Sequence, residues 1–163
     1  MTTFEDFVAS RGPTLLRLAV MLTGNSHDAE DLLQATFIKV IRHWGRVADA
    51  GNPEAYTRKI LVNEHLSWRR RPQRRESAVA ELESPPLSDP TIHVSARDAA
   101  WQLLNTLPPR QRAVLALRYY SDLSDDQIAA TLGCTASTVR SNASRALTAL
   151  RENYPALDPE ATP

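Results

Sequence analysis

A stretch near the middle of the chain interrupts the helical patterns on either side of it and divides the sequence. Residues 77–95 read SAVAELESPPLSDPTIHVS and contain three prolines, four serines and three acids. Because proline has no backbone N–H and clashes within a helix, no long helix crosses such a stretch. The sequence therefore predicts an N-terminal domain over residues 1–76, an acidic flexible linker over 77–95 and a C-terminal domain over 96–154. Residues 155–163 are predicted to be a disordered tail.

Hydrophobic residues in both predicted domains recur at helical spacing, and we find no strand pattern. Aromatic residues make up only 6% of the chain, and its abundant leucine and alanine favour helix. The first domain is predicted to contain three helices. The first covers residues 4–23, although Pro13 could interrupt it. The second begins near Asp28, the third covers 53–70, and a loop over 45–52 lies between them. The apolar residues of the second helix follow helical spacing, and they are Ala29, Leu32, Leu33, Phe37, Val40, Ile41 and Trp44.

The second domain is predicted to contain helices over 96–106 and 110–120, followed by two more from residue 123. The predicted fold class is therefore all-α, with two small helical domains joined by a flexible linker.

The charges of the chain cancel overall but are unevenly distributed. The formal net charge is zero, with 19 basic and 19 acidic residues. Residues 1–76 carry 12 basic and 9 acidic residues, residues 77–95 carry three acids and no base, and residues 96–163 carry seven of each. A protein that binds DNA unaided is normally basic, so net charge alone does not supply DNA affinity here.

Residues 123–150, LSDDQIAATLGCTASTVRSNASRALTAL, predict a helix-turn-helix. Ser124 and Gln127 match the capping box that starts a helix, and Gly133 supplies the turn. On the second helix, at about 100° per residue, one exposed face collects short hydroxyls, two arginines and no acid. These positions are Ser137, Thr138, Arg140, Ser141, Ser144, Arg145 and Thr148. Such a face suits the major groove of DNA, and the alternative is the solvated face of an ordinary helical bundle.

No pattern in the sequence indicates a catalytic, metal or cofactor site. Asp28, Glu30 and Asp31 are expected in the first turn of a helix, where the helix dipole favours acids. The four histidines are scattered, and no H-E-x-x-H or C-x-x-C pattern occurs. The single Cys134 cannot form an internal disulfide, which favours the cytoplasm. The longest apolar stretch, near residues 15–22, is too short to span a membrane.

Three segments resemble the extracytoplasmic-function (ECF) sigma factors of bacterial RNA polymerase, and most closely their actinobacterial SigE type. Residues 107–151, LPPRQRAVLALRYYSDLSDDQIAATLGCTASTVRSNASRALTALR, are similar to the C-terminal domain of that family. GNSHDAEDLLQATFIKVIRHW and PEAYTRKILVNEHLSWRRR are similar to its N-terminal domain. The resemblance spans nearly everything from Phe4 to Arg151, and it implies a non-enzymatic promoter-specificity subunit that needs the core polymerase.

The resemblance also implies a role for each domain. The helix carrying DLLQ would bind the clamp helices of the polymerase β′ subunit through Asp31 and Gln34, although Ala35 stands where many relatives have an acid. Residues 45–71 would hold the −10 promoter element, with Arg58, Lys59, Asn63, Arg69, Arg70 and Arg71 as candidates. The C-terminal domain would read the −35 element through Ser137, Thr138, Arg140, Ser141, Ser144 and Arg145. Trp44 and Trp68 flank the −10 region, and they either pack in the core or stack on an unpaired base.

The implied partners are core RNA polymerase, through its β′ clamp helices and β flap, promoter DNA, and an anti-sigma factor if one controls the chain. Neither a cofactor nor membrane insertion is implied. The resemblance implies promoter elements about 17 base pairs apart, which lie about 58 Å apart at roughly 3.4 Å per pair. A 70-residue domain has a radius of gyration of about 11 Å, so neither domain could reach both elements.

The alternative functions are a stand-alone helix-turn-helix regulator and, from another class, a small nuclease.

Overall fold

A computed structural model describes residues 2–70 and 102–154, with only the backbone described at positions 69 and 70. The predicted linker over 77–95, the predicted tail over 155–163 and Arg71 lie outside the described residues. No β-strand occurs within the described ranges, and the predicted all-α class is confirmed. The N-terminal block contains α1 (Phe4–Thr23), α2 (Ser26–Ile41), α3 (Trp44–Asp49) and α4 (Pro53–Arg70). The C-terminal block contains a 3₁₀ turn (Leu103–Thr106), α5 (Pro109–Leu115), a π-helical turn (Ala116–Tyr120), α6 (Asp125–Leu132) and α7 (Ala136–Asn153).

Local signals at both ends define α1. Thr3 and Asp6 form a reciprocal capping box at its start, and Gly24 ends it in the left-handed conformation at φ 85°. The helix continues through Pro13, so the interruption that this proline could have caused does not occur. Buried residues on both sides of Pro13, including Phe7 and Leu15, pack along the helix and offset the lost hydrogen bond.

The loop predicted over residues 45–52 is wrong in its first half, because Trp44–Asp49 forms the short helix α3. Tertiary packing explains this helix. Trp44 contacts the rings of Phe4 and Phe7, with centroids 5.5 and 5.2 Å away, and Val47 is buried. A six-residue helix has little stability of its own, so these contacts hold it in place.

Residues 112–117 of the C-terminal block are buried without interruption, through the end of α5 and into the π-helical turn. A helix that is buried on every side must be surrounded by other elements. Accordingly, α5 contacts α7 in its own block and α1 and α4 in the N-terminal block. The π-helical turn follows, with the Ser121 N–H donating to the Ala116 carbonyl at 3.2 Å.

The two blocks therefore pack against each other and share one hydrophobic cluster. Leu18, Leu22 and Leu61 of the N-terminal block belong to the same cluster as Val114 and Leu117 of the C-terminal block. The linker-based prediction of two domains did not anticipate this packing, because a hydrophobic pattern shows which face is buried but not which partner buries it.

We expect Leu32→Ala to lower the free energy of unfolding by about 2–5 kcal/mol, because Leu32 is fully buried and its truncation leaves a cavity. Ile38→Ala on the same helix is the matched control. The Ile38 side chain is 55% exposed, so the change should stay within about 0.5 kcal/mol. Urea unfolding followed by circular dichroism measures both, and equal losses would contradict the placement of α2.

Candidate nucleic-acid interface

The second helix of the helix-turn-helix, α7, has one buried face and one open face. Val139, Ala143 and Ala146 are buried in the shared cluster. All seven positions predicted for the open face are exposed, namely Ser137, Thr138, Arg140, Ser141, Ser144, Arg145 and Thr148. No acidic residue occurs on α7 before Glu152. The open face therefore presents short hydroxyls and arginines without acidic repulsion, as contact with DNA requires.

Hydrogen bonds fix the start of both helices in the helix-turn-helix. The Ser124 hydroxyl accepts from the Gln127 N–H at 3.2 Å, and the Gln127 side chain accepts from the Ser124 N–H at 2.9 Å, so the predicted capping box is confirmed. Gly133 adopts φ 69° between the helices. The Thr135 hydroxyl then caps α7 by accepting from the N–H of Thr138 at 3.1 Å. The open face of α7 thus starts at a defined position relative to α6.

A cavity of about 320 Å³ lies beside the open face of α7, and we call it the arginine cleft. It is lined by Arg118, Asp125, Arg140, Ser144, Leu147, Thr148 and Arg151. The side chains of Arg118 and Asp125 form a half-buried ion pair, and this hydrogen bond raises the pKa of Arg118 above its usual range. Within the described ranges, Arg140 and Arg151 have no carboxylate within ion-pair distance, so both guanidinium groups can contact phosphate or base edges.

An exposed stripe runs along α4 and contains Tyr56, Lys59, Asn63 and Ser67. We call it the α4 stripe. The structure places the predicted −10 candidates Lys59 and Asn63 on it, whereas Arg58 lies off the stripe and is half-buried. The side chains of the other three candidates, at positions 69, 70 and 71, lie outside what the structure describes. The α4 stripe thus brings together only part of the predicted set.

The exposed aromatic residue on this surface is Tyr56, which the sequence analysis missed. Its side chain is 41% exposed. Trp44 packs against the phenylalanines of α1, and the Trp68 indole N–H donates to Glu64 Oε1 at 2.8 Å. Trp68 also packs against the hydrophobic cluster, so both tryptophans have packing contacts. Tyr56 precedes Lys59 by three residues and Asn63 by seven, which places all three on one face of a helix. This spacing is the signal that could have identified Tyr56.

The outer face of α2 carries the candidates for polymerase contact. Gln34 is exposed, and Asp31 is half-exposed with its carboxylate 3.6 Å from His27 Nε2. Two exposed hydrophobic residues accompany them, Ile38 at 55% and Ile41 at 51%. Ile41 follows the helical spacing of the apolar residues, but α2 ends there and its side chain is exposed in the part of the chain that the structure describes. We call Gln34, Ile38 and Ile41 the α2 patch.

The described ranges lack two other kinds of functional feature. No group of three or more histidine, cysteine, aspartate or glutamate side chains there is arranged to hold a metal ion. No helix in these ranges combines the length and apolar character needed to cross a lipid bilayer.

Family models and known relatives match both blocks. A Sigma-70 region 2 model matches residues 7–76, and a Sigma-70 region 4 model matches residues 97–150. The chain is 35% identical to the RNA polymerase sigma-E factor of Streptomyces coelicolor, over 97% of this chain and 89% of that protein. It is 37% identical to the ECF RNA polymerase sigma factor SigE of Mycolicibacterium smegmatis, over 93% of this chain and 62% of that protein.

Two solved structures are similar over nearly the whole chain. One is the sigma factor RpoE in complex with the anti-sigma factor NepR from Bartonella quintana. It has a TM-score of 0.69 and 26% identity, and the match covers 93% of this chain and 96% of RpoE. The other is CnrH in complex with the cytosolic domain of CnrY, with a TM-score of 0.60 and 25% identity over 95% and 89% of the two chains.

Proposed function

Since this chain belongs to the ECF sigma factors of the sigma-70 family, which direct transcription initiation, we propose that its three surfaces divide promoter recognition between them. The α2 patch binds core RNA polymerase, the α4 stripe holds the −10 element, and the open face of α7 reads the −35 element. The observation that carries this proposal is the acid-free, fully exposed face of α7. We also propose that the chain acts in the cytoplasm, where the polymerase works, and that it has no enzymatic activity.

The face of α7 has the chemistry of duplex reading. Arg140 and Arg145 are long, planar donors that can pair bidentately with guanine or phosphate. Ser137, Ser141 and Ser144 are short, so the helix backbone can approach the groove closely. Because the capped start of α7 fixes its register, the same side chains meet the same base pairs each time.

The α4 stripe has the chemistry of single-strand capture. Lys59 supplies a positive charge for the phosphate backbone, and the Asn63 amide can pair with a base edge. Tyr56 offers an exposed ring on which an unpaired base can stack. These three side chains lie along about two turns of one helix, so they can follow successive nucleotides of one strand.

The α2 patch has the chemistry of a protein contact. Two exposed isoleucines next to a polar residue are typical of a docking surface, because water contact with both costs free energy until a partner covers them. The partner we propose is the clamp-helix region of the β′ subunit, with the β flap contacting the C-terminal block. An anti-sigma factor is a further proposed partner, supported by the similarity to RpoE as bound by NepR.

Zero net charge fits this division of work. Non-specific DNA affinity comes mainly from neutralising phosphates, and this chain has no excess of cations for that purpose. We propose that the polymerase supplies most phosphate contacts while the chain supplies base choice. A stand-alone helix-turn-helix regulator does not account for the match of residues 7–76 to Sigma-70 region 2.

We expect Arg140→Ala and Arg145→Ala to weaken use of the −35 element by about 1–3 kcal/mol where a bidentate base contact is lost. Run-off transcription with purified core polymerase, on promoters that differ only at −35, measures the loss. Arg11→Ala removes an equal charge from an exposed position on α1 and serves as control. Equal losses on every −35 sequence would show a phosphate contact in place of base reading.

We expect Gln34→Ala and Ile38→Ala each to weaken binding to core polymerase roughly tenfold, since buried interface anchors are worth about 1–2 kcal/mol. Fluorescence anisotropy of labelled full-length chain with core enzyme measures the affinity. Arg11→Ala should bind like the original protein. Unchanged affinity in both α2 variants would remove the α2 patch from the interface.

We expect Tyr56→Ala to reduce promoter opening by about 1–3 kcal/mol, the value of stacking one base on an aromatic ring. Tyr56→Phe keeps the ring and should restore opening. Permanganate reactivity of unpaired thymines in the polymerase–promoter complex measures the open fraction. A Phe variant as defective as the Ala variant would assign the role to the hydroxyl and exclude stacking.

A further inference from the structure

The arginine cleft carries positive charge that the described residues do not balance. Arg118 is paired with Asp125 across the cleft, so this pair contributes no net charge. Arg140 and Arg151 also line the cleft, and neither has a carboxylate within ion-pair distance in the part of the chain that the structure describes. Two guanidinium charges are therefore available to attract an anionic group.

The remaining lining of the cleft suits a short peptide segment. Ser144 and Thr148 place two exposed hydroxyls between the two arginines along α7, and the side chain of Leu147 is half-buried beside them. An apolar contact with a few polar groups around it is the usual composition of a binding pocket. A segment that fits this lining has an apolar side chain next to two separated acidic groups.

The predicted tail is a segment of this composition in the same chain. Residues 155–160 read PALDPE, in which Asp158 and Glu160 directly follow the apolar pair Leu157 and Ala156 or lie within three residues of it. The tail has no basic residue. Residues 96–154 carry seven basic and five acidic residues, and the two tail acids bring the total to seven of each. The tail thus carries two acids, and the cleft has two unpaired arginines.

The chain leaves α7 next to the cleft. The helix ends at Asn153, and Tyr154 has φ −136° and ψ 74°, outside the helical range. This change of conformation is expected for a residue that precedes a proline, here Pro155. Arg151 lies three residues before Tyr154 and lines the cleft, so the tail begins within one helical turn of this binding surface.

The reach of the tail matches the length of the cleft. At about 1.5 Å per residue along α7, Arg151 lies about 5 Å from Tyr154, and Arg140 lies about 21 Å from it. At no more than about 3.3 Å per residue, Asp158 can lie up to about 13 Å from Tyr154, and Glu160 up to about 20 Å. Asp158 can therefore meet Arg151. Glu160 comes within side-chain reach of Arg140.

We propose that the arginine cleft is a docking site for an acidic peptide segment, and that its occupant is the chain's own tail, bound through Asp158 and Glu160. The docked tail runs back along α7 from Tyr154 towards Arg140. A single exposed ion pair contributes little free energy. A segment tethered by a few residues, however, has an effective concentration in the millimolar range, so a weak attraction is enough to fill the cleft.

The docked tail covers part of the open face of α7, because Arg140, Ser144 and Thr148 belong both to that face and to the cleft. This consequence rests on the proposed function, which assigns the open face to the −35 element, whereas the docking itself does not. The tail acids compete with DNA phosphates for the same guanidinium groups. The tail therefore lowers the affinity of the free chain for duplex DNA.

Paramagnetic relaxation in the free full-length chain tests the docking without DNA or polymerase. A nitroxide label is attached at Thr162→Cys, with Cys134→Ala removing the native thiol, and the broadening of backbone amide signals is measured along α7. We expect the strongest broadening near Arg140 and Ser144, because a docked tail carries the label to that end of the cleft. A tail that is only tethered broadens residues 150–154 most, and this result would overturn the proposal.

Two variants with equal changes in charge separate docking from general electrostatics. Asp158→Asn with Glu160→Gln should move the strongest broadening to residues 150–154. Glu30→Gln with Glu152→Gln is the matched control, because both acids are exposed and neither lines the cleft. The control should keep the docked pattern. Unchanged broadening in the tail variant, or an equal loss in the control, would contradict the proposal.

A second pair of variants tests the cleft side of the contact. Arg151→Gln should lose the docked pattern, whereas Arg145→Gln should keep it, since Arg145 lies on the same helix but does not line the cleft. If both variants lose the docked pattern equally, the tail is attracted by the charge of α7 as a whole and not by the cleft, which would overturn the proposed site.

Binding of the free chain to a −35 duplex separates this proposal from the proposed function. Neutralising both tail acids should raise the affinity about threefold to tenfold, because a tethered competitor is removed. The matched control should change it less. A docked tail in a chain that shows no −35 preference, even with its tail acids neutralised, would overturn the proposed function and leave the docking intact. A −35 preference together with an undocked tail would overturn the docking alone.

Discussion

The burial of residues 112–117, from the second half of α5 into the π-helical turn, is the constraint on which the rest of the structure depends. Residues 112–117 are buried without a break, and no single neighbouring helix can cover a helix all round. The C-terminal block covers one side of α5 with α7, and α1 and α4 of the N-terminal block contact it as well. The position of α5 thereby determines how the two blocks lie against each other and which surfaces stay open.

The surfaces to which we assign functions all lie at the outside of the molecule. The α7 face, the α4 stripe and the α2 patch all lie outside the shared hydrophobic cluster, and each has a different composition. Arginine with short hydroxyls suits duplex DNA, a tyrosine with lysine and asparagine suits a single strand, and paired isoleucines suit a protein. A chain without net charge can in this way present three specific surfaces, because specificity depends on local chemistry and not on total charge.

The candidate site could be predicted from the sequence to different degrees. The α7 face was predicted in full, because a long amphipathic helix with a clear start shows its two faces in its periodicity. The exposure of the −10 candidates was harder to predict. Arg58 and Lys59 are adjacent in sequence but lie about 100° apart around the helix, and only the packing of α4 decided that Lys59 is on the exposed stripe. Tyr56, Ile38 and Ile41 were missed because hydrophobic residues are assigned to the core unless the structure shows that nothing covers them.

By itself, the sequence determined the all-α class, most helix positions, the capping box at Ser124 and the turn at Gly133. These features depend on interactions between residues a few positions apart, which the order of residues records directly. Only the tertiary structure decided that α3 forms and that Ile41 is exposed. It also decided that Arg112 donates to the Leu22 carbonyl and Asn63 to the Thr131 carbonyl, both across the two blocks. Such features depend on which distant segments pack against each other. The free energy of that packing is not encoded in any local pattern.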